Sequence, residues 1–336
     1  MINITSHGII LEKSTLDFEN EAVLNPACIS KDGIIHMFYR AVRSGNFSSI
    51  GYCQFKDNKL IYRSPVPILK PEFDYEKHGV EDPRIIFLDG IYYLFYVTYD
   101  GKNARVALAT STDLIKFEKK GIISAQMTYD LAEDLFIKSH VNKIYSQFEK
   151  NYRKSNDDKI LLWAKDTFIF PKKINNKFAM LHRVLPGIQI VYFNSFSDLN
   201  NKFWSNYLIH LKKFIVLEPK FEFENFEIGG GCPPIEIEAG WLFIYHGVEE
   251  KNSKKIYHAG VALLDKKDPT KVLGRLSHPL FSPTEEWEKK GDVNNVVFPS
   301  SAILRGNNLD IYYGAADSVI ALKTVALDSL LSELIQ

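Results

Sequence analysis

One unit is written five times along this chain, and that recurrence limits the fold more than any other feature. Each copy is a short apolar strand, a turn, and a strand rich in aromatics that ends in a polar or cationic group. The first runs Asn25-Pro26-Ala27-Cys28-Ile29, turns at Lys31-Asp32-Gly33 and continues to Tyr39 and Arg40. The second runs from Asp82-Pro83-Arg84 through Asp89-Gly90 to Tyr96, and the third from Asp166 through Asn175-Asn176 to His182 and Arg183. The fourth passes from Pro234-Ile235-Glu236-Ile237 through Ala239-Gly240 to Tyr245 and His246; the fifth goes from Val296 through Gly306-Asn307-Asn308 to Tyr313. Asp-Gly and Asn-containing pairs between apolar runs specify hairpins. Further strand-like runs follow most copies. Three or four short strands per unit, repeated five times, predict an all-β fold, a five-bladed β-propeller. A β-sandwich would explain the density of strands but not the recurrence.

One segment departs from the pattern. Leu131, Leu135, Val141, Ile144 and Phe148 fall on roughly one face of a helix from Asp130 to about Ser155. This predicts a helical insertion, about residues 126–160, between blades two and three, with a surface that could cover the site or serve self-association. A short closing helix is predicted from Leu327 to Leu334. No linker rich in Pro, Gly or Ser interrupts the chain, so a single domain over residues 1–336 is expected.

Composition narrows the function. Lys plus Arg and Asp plus Glu both number 41, so no net charge points to nucleic acid or an acidic membrane. Cys28, Cys53 and Cys232 fit no metal spacing and imply no disulfide framework. The segment from Met1 to Asn25 has no basic stretch followed by an apolar one, and no apolar run has membrane-spanning length. A cytoplasmic protein without metal or organic cofactor is expected.

In a propeller, ligands bind where the inner strands converge, so the polar residues opening or closing each first hairpin are the candidates. They are Asn25 and Arg40; Asp82 and Arg84; Lys165, Asp166 and Arg183; Glu236 and His246; and Asp317. Glu81 and Asp82 are adjacent carboxylates, and strand alternation predicts that only one faces the centre. A carboxylic acid there could protonate a leaving oxygen. Lys165, Arg183 and His246 occupy comparable places in their units, and three converging cations would bind a phosphate-sized anion. Tyr257 could add a hydroxyl. The run Gly229-Gly230-Gly231 could present backbone N–H groups, although a tight turn explains it more simply. No His-Glu-x-x-His, Cys-x-x-Cys or Gly-x-Ser-x-Gly motif is present.

Several of these stretches, in order, resemble glycoside hydrolase family 130, which comprises β-mannoside phosphorylases and a smaller group of β-mannosidases. They are 79–84, Phe170-Pro171-Lys172-Lys173-Ile174 through Arg183, 229–236, Tyr245-His246-Gly247-Val248, and Tyr312-Tyr313-Gly314-Ala315-Ala316-Asp317. The resemblance implies a five-bladed propeller with Asp82 as the catalytic acid, acting through the mannosyl 3-hydroxyl. It implies that Lys165, Arg183, His246 and Tyr257 hold phosphate, and that Asn25, Arg40 and Asp317 hold the mannosyl unit. Arg84, Asp166 and Glu236 complete the expected substrate-binding set. The expected partners are then a β-mannosyl oligosaccharide and inorganic phosphate, with α-mannose 1-phosphate as product. The retained cations favour phosphorolysis. Hydrolysis, with Glu236 or Asp166 as base, and a non-catalytic sugar-binding propeller are the alternatives. Lys165 departs from the family's frequent Arg.

Overall fold

The computed structural model of the chain describes residues 2–146 and 160–335. Its strands fall into five antiparallel groups. The N-terminal strand β1 (Ile4–Leu11) stands apart. The first group contains β2 (Ala22–Lys31), β3 (Ile34–Arg43), β4 (Phe47–Lys56) and β5 (Lys59–Arg63). The second contains β6 (Gly79–Leu88), β7 (Ile91–Tyr99), β8 (Ala104–Ser111) and β9 (Glu118–Ile122). The helix α1 (Tyr129–Ser139) follows. The third group contains β10 (Phe168–Ile169), β11 (Phe178–Val184), β12 (Gly187–Phe193) and, after helix α2 (Asn201–Ile209), β13 (Ile215–Leu217). The fourth contains β14 (Glu227–Gly230), β15 (Ile235–Ile237), β16 (Gly240–Lys251), β17 (Lys254–Leu264) and β18 (Val272–Arg275), with β14 and β15 both pairing β16. After the short helix α3 (Glu286–Lys289), the fifth contains β19 (Val297–Arg305), β20 (Asn308–Ala315) and β21 (Val319–Ala326), with β1 along its free edge. Helix α4 (Leu327–Leu334) ends the chain where a closing helix was predicted.

The hairpin signals act as their chemistry requires. Asp32-Gly33, Asp89-Gly90 and Asn175-Asn176 all take positive φ at both positions, the backbone that a two-residue hairpin needs. A single parallel pair, Ser48 with Gly79, joins the first and second groups. Single backbone contacts, such as Ile228 N–H to the Pro186 carbonyl and Val23 N–H to the Ser318 carbonyl, and packed side chains make the other joints. Ala27, Phe38 and Tyr52 pack against Ile85, Leu94 and Tyr96; Met37 and Tyr39 pack against Tyr312, Ile320 and Leu322. One continuous cluster runs through the second, third and fourth groups, and another joins the fourth to the fifth. Each group therefore packs on the next and the fifth on the first. The fold is mostly β and propeller-like.

A second recurrence underlies the first. An acidic–aromatic–Glu turn precedes four innermost strands: Asp17-Phe18-Glu19, Asp74-Tyr75-Glu76, Glu222-Phe223-Glu224 and Glu286-Trp287-Glu288. Each final Glu is fully buried. Each accepts a hydrogen bond from a tyrosine of its own unit: Tyr39 (2.6 Å), Tyr96 (2.9 Å), Tyr245 (3.0 Å) and Tyr313 (2.7 Å). Each also meets one cation, at 2.7–2.8 Å: Arg63, Lys119, Arg275 or Lys323. The third unit differs. His182 stands in the tyrosine's place and shares a hydrogen bond with the Tyr207 hydroxyl at 2.7 Å.

The predicted insertion is an excursion with a closed stem, where Thr128 bridges Leu161 and Leu162 donates to the Met127 carbonyl. Its first helix, α1, is shorter than the predicted one, and helical backbone resumes at 144–146. α1 stops at Ser139, and His140 takes a left-handed backbone that ends the turn. Tyr129, Ala132, Leu135 and Phe136 are the buried face, while Leu131 points to solvent. Most of the remaining predicted helix, including Phe148, lies outside the described residues. Among the described residues, no helix is long and apolar enough to cross a membrane.

Candidate active site

Four of the candidate residues share one backbone feature. Asn25, Asp82, Asp166 and Asp317 all have φ between 49° and 53°. Short polar side chains tolerate this left-handed region better than other non-glycine residues. In β2 and β6 the feature is a bulge. Asn25 and Pro26 both face Tyr39, and Asp82 and Pro83 both face Tyr96. A bulge re-aims the side chain at the kink. The alternation that should have sent Glu81 and Asp82 to opposite faces is broken there, and both carboxylates reach the same cations. Arg40 Nη2 lies 3.0 Å from Glu81 Oε1, and Arg40 Nη1 lies 3.7 Å from Asp82 Oδ1. Lys165 Nζ lies 3.9 Å from Glu81 and 4.0 Å from Asp82.

These residues line one cavity of about 230 Å³. Of the eleven candidates it gathers nine: Asn25, Arg40, Asp82, Lys165, Asp166, Arg183, His246, Tyr257 and Asp317. Two stand elsewhere. Arg84 is buried below the cavity, donating to the Gly231 carbonyl at 2.7 Å and the Pro83 carbonyl at 2.9 Å, with Asp166 at 3.9 Å. Glu236 lies on β15 beyond the Pro233-Pro234 break, on the exterior, paired with Lys172 at 3.3 Å. The hydrolytic reading loses it as a base.

One wall carries Asn25, Arg40 and Asp317 beside Asp82. The Asn25 amide donates to Asp82 Oδ1 at 2.8 Å. Burial works against the Asp82 charge, but Arg40, Lys165, the Asn25 amide and Arg84 outweigh it and hold the carboxyl below its usual range. Asp317 goes the other way: burial, aided by Asp82 and Asp292, pushes it up to about 6 against the pull of Arg40 and Lys165.

The expected phosphate set of Lys165, Arg183, His246 and Tyr257 lines the same cavity, with Lys165 beside Glu81 and Asp82, and here two expectations change. His246 is not a cation. Complete burial lowers its pKa to about 3, so the ring is neutral. Arg183 is already engaged, with Nη1 3.0 Å from Asp166 Oδ2 and 3.8 Å from Glu227 Oε1. Glu227 was not singled out in the sequence. It opens β14, is buried and lines the cavity. Its signal was its place two residues before the glycine run. That run is neither a turn nor an anion nest. Gly229 and Gly230 are strand residues paired with His246 and Tyr245. A Cβ on Gly229 would overlap the His246 ring and the Asp166 carboxylate, so glycine there lets the two approach. Trp163, Val293, Val296 and Phe298 complete the lining.

A family model described as beta-1,4-mannooligosaccharide phosphorylase matches residues 4–335. The chain belongs to glycoside hydrolase family 130. Within family 130 it is 32% identical to a 1,2-beta-oligomannan phosphorylase of Thermoanaerobacter sp. (strain X514), over 97% of both chains. It is 33% identical to a beta-1,2-mannobiose phosphorylase of the same organism, over 92% of this chain and 91% of the other. Its fold matches that of a beta-1,2-mannobiose phosphorylase from Listeria innocua, solved with beta-1,2-mannobiose, with a TM-score of 0.75 and 23% identity over 99% of both chains. Among the described residues of this family 130 member, no group of three or more His, Cys, Asp or Glu is placed to hold a metal ion.

Proposed function

We propose that this protein is an inverting β-mannoside phosphorylase that transfers a mannosyl unit to inorganic phosphate and releases α-mannose 1-phosphate. The five strand groups are the five blades of one propeller domain, and the cavity is its central site. The observation that carries the reading is the set of groups gathered within that cavity. One cavity brings Asp82 together with Asn25, Arg40 and Asp317, expected to hold the sugar, and with Lys165, Arg183, His246 and Tyr257, expected to hold phosphate. An inverting displacement needs its nucleophile and leaving group on opposite sides of the anomeric carbon. Phosphate is already an anionic nucleophile and needs positioning more than a base.

The departing saccharide has a path. A second cavity, of about 730 Å³, shares Arg40, Val293 and Asp317 with the first and none of the expected phosphate residues. Its polar lining of Glu21, Ser44, Asn46, Asp292 and Ser318 suits a neutral polyhydroxyl chain. Its size is that of a pocket for more than one sugar ring.

A second reading rests on Glu227. A buried carboxylate facing the site is what an inverting hydrolase would use to activate water. One assay separates the two: β-1,2- and β-1,4-mannobiose are supplied with and without phosphate, and sugar products are resolved. Mannose 1-phosphate formed only with phosphate supports phosphorolysis. Free mannose in phosphate-free buffer would replace it with hydrolysis.

A further inference from the structure

The expected phosphate set holds no surplus positive charge. Lys165 faces Glu81 and Asp82, and Arg183 faces Asp166 and Glu227. Counting Arg40 and Arg84 as well, four cations meet Glu81, Asp82, Asp166 and Glu227, Asp317 adds a fifth carboxyl whose pKa is about 6, and His246 adds nothing. A dianion entering here would find each positive group already matched. The cavity does hold unanswered acceptors. Glu227 Oε2 is buried with no hydrogen-bond partner among the described residues, and neither His246 ring nitrogen has one. The two side chains are at least nine-tenths buried (4% and 0% exposed) and line the same cavity as Lys165 and Arg183. A neutral imidazole offers one lone pair and one N–H, whichever tautomer is present. With Glu227 Oε2 as one acceptor and the His246 lone pair turned to the cavity as the other, two acceptors beside two cations suit a ligand that is both an anion and a donor of two protons.

We propose that the site takes its oxyanion as dihydrogen phosphate, the singly charged species, with its two P–OH groups donating to Glu227 and His246 and its unprotonated oxygens facing Lys165 and Arg183. This rests on the phosphorylase reading and names the ionic form of its nucleophile. The proton balance closes on it. Asp82 is held below its usual carboxylate range, so the proton that it passes to the departing sugar is one that enters with phosphate. The bond from the anomeric carbon to the departing oxygen breaks and a bond to a phosphate oxygen forms. Of the two phosphate protons, one ends on the departing hydroxyl and one stays on mannose 1-phosphate as its monoanion. A site built around buried acceptors rejects a ligand that lacks the matching donors, because acceptor is then left facing acceptor. Sulfate has the shape of phosphate but carries no proton at neutral pH.

The test is phosphorolysis by the intact protein across pH 6 to 9, with sulfate as competitor. The KM for phosphate is expected to rise about tenfold per pH unit above the second ionisation of phosphate, while kcat at saturating phosphate changes less. Sulfate should not compete. Glu227→Gln, which replaces an acceptor-only group by one that also donates, should flatten the KM profile and make sulfate a competitive inhibitor. Sulfate inhibition of the parent protein comparable to phosphate binding, or a phosphate KM that is constant with pH, would overturn the proposal. The parent arms decide the matter even if the variant does not fold. Absence of phosphate-dependent turnover at every pH would instead remove the phosphorylase reading itself.

Discussion

Asp82 owes its position to a backbone state that few residues accept. Its left-handed φ turns the carboxylate toward Asn25, Arg40 and Lys165 and places it beside Glu81 instead of behind it. Asp82→Asn keeps that backbone preference and removes the acid. It should lower turnover by about 10²–10⁴-fold, while calorimetry still detects sugar binding. A variant with near-normal rates would refute the assignment. Arg183→Ala should raise the KM for phosphate by about tenfold or more and leave that for sugar nearly unchanged; equal rises would count against a phosphate role. Asp317 gives a pH signature. Its folded-state pKa of about 6 lies above its ordinary value, so the protein favours its neutral form. That stabilisation is complete below about pH 4 and is lost as pH rises through 6. Asp317→Asn should therefore have a higher Tm than the parent at pH 8, with the gap closing toward pH 4. Melting curves at the two pH values check the sign.

At the scale of elements, the buried Glu pins explain why the inner strands arrive where they do. Glu19 and Glu76 each precede a bulge residue, Asn25 and Asp82, by six positions. Each holds the tyrosine that faces that bulge. Tyr39 and Tyr245 immediately precede Arg40 and His246, so the same contacts fix two site residues from behind. The Glu76 pin is open to a direct test. Lys119 has a nearly buried ammonium 2.7 Å from Glu76, and Lys119→Met would strand a carboxylate with no exposure. Breaking a buried pair in this way costs about 3–5 kcal/mol. Tyr96→Phe removes one hydrogen bond to the same carboxylate and should cost about 1–3 kcal/mol. Urea unfolding measures both, and losses under 0.5 kcal/mol in the pair would show that the pin is ornamental. Among the described residues, the third unit has no such pin. The excursion at 128–161 occupies the place in the chain where its acidic turn would stand. The buried His182, its pKa lowered to about 3 by burial, bonds Tyr207 instead.

At the scale of the whole molecule, residues from both ends of the chain share one sheet. β1 supplies the outer strand of the fifth group by pairing with β21, so the group with the last inner strand is completed by the first residues of the chain. Met37 and Tyr39 cluster with Tyr312 and Leu322 and pack the first group on the fifth. Removal of residues 1–11 would bare the β21 edge, an open template for pairing with other chains. The truncated protein should melt at a lower temperature and associate in a concentration-dependent way. Sedimentation beside the intact protein checks it, and an unchanged Tm with a single species would show that the closing strand is dispensable.

The chain's local chemistry determined much of this. The apolar alternation, the Asp-Gly and Asn-Asn turns and their fivefold return act over a few residues, so the strand groups were legible, as were nine of the eleven site candidates. The acidic–aromatic–Glu turns were equally legible, because they too are a local recurrence, and they went unused. Other features depended on what folding brings together. Glu81 shares its cations with Asp82 because of a bulge that a strand pattern cannot show. His246 is neutral because distant residues bury it. Arg183 is matched by carboxylates from two other segments. Glu236 misses the site because β15 leaves the centre after two prolines, and Glu227 enters it because it opens β14, the strand whose Gly229 leaves room for His246 and Asp166. Charge state and direction are set by neighbours far apart in sequence, and only the tertiary structure supplies those neighbours.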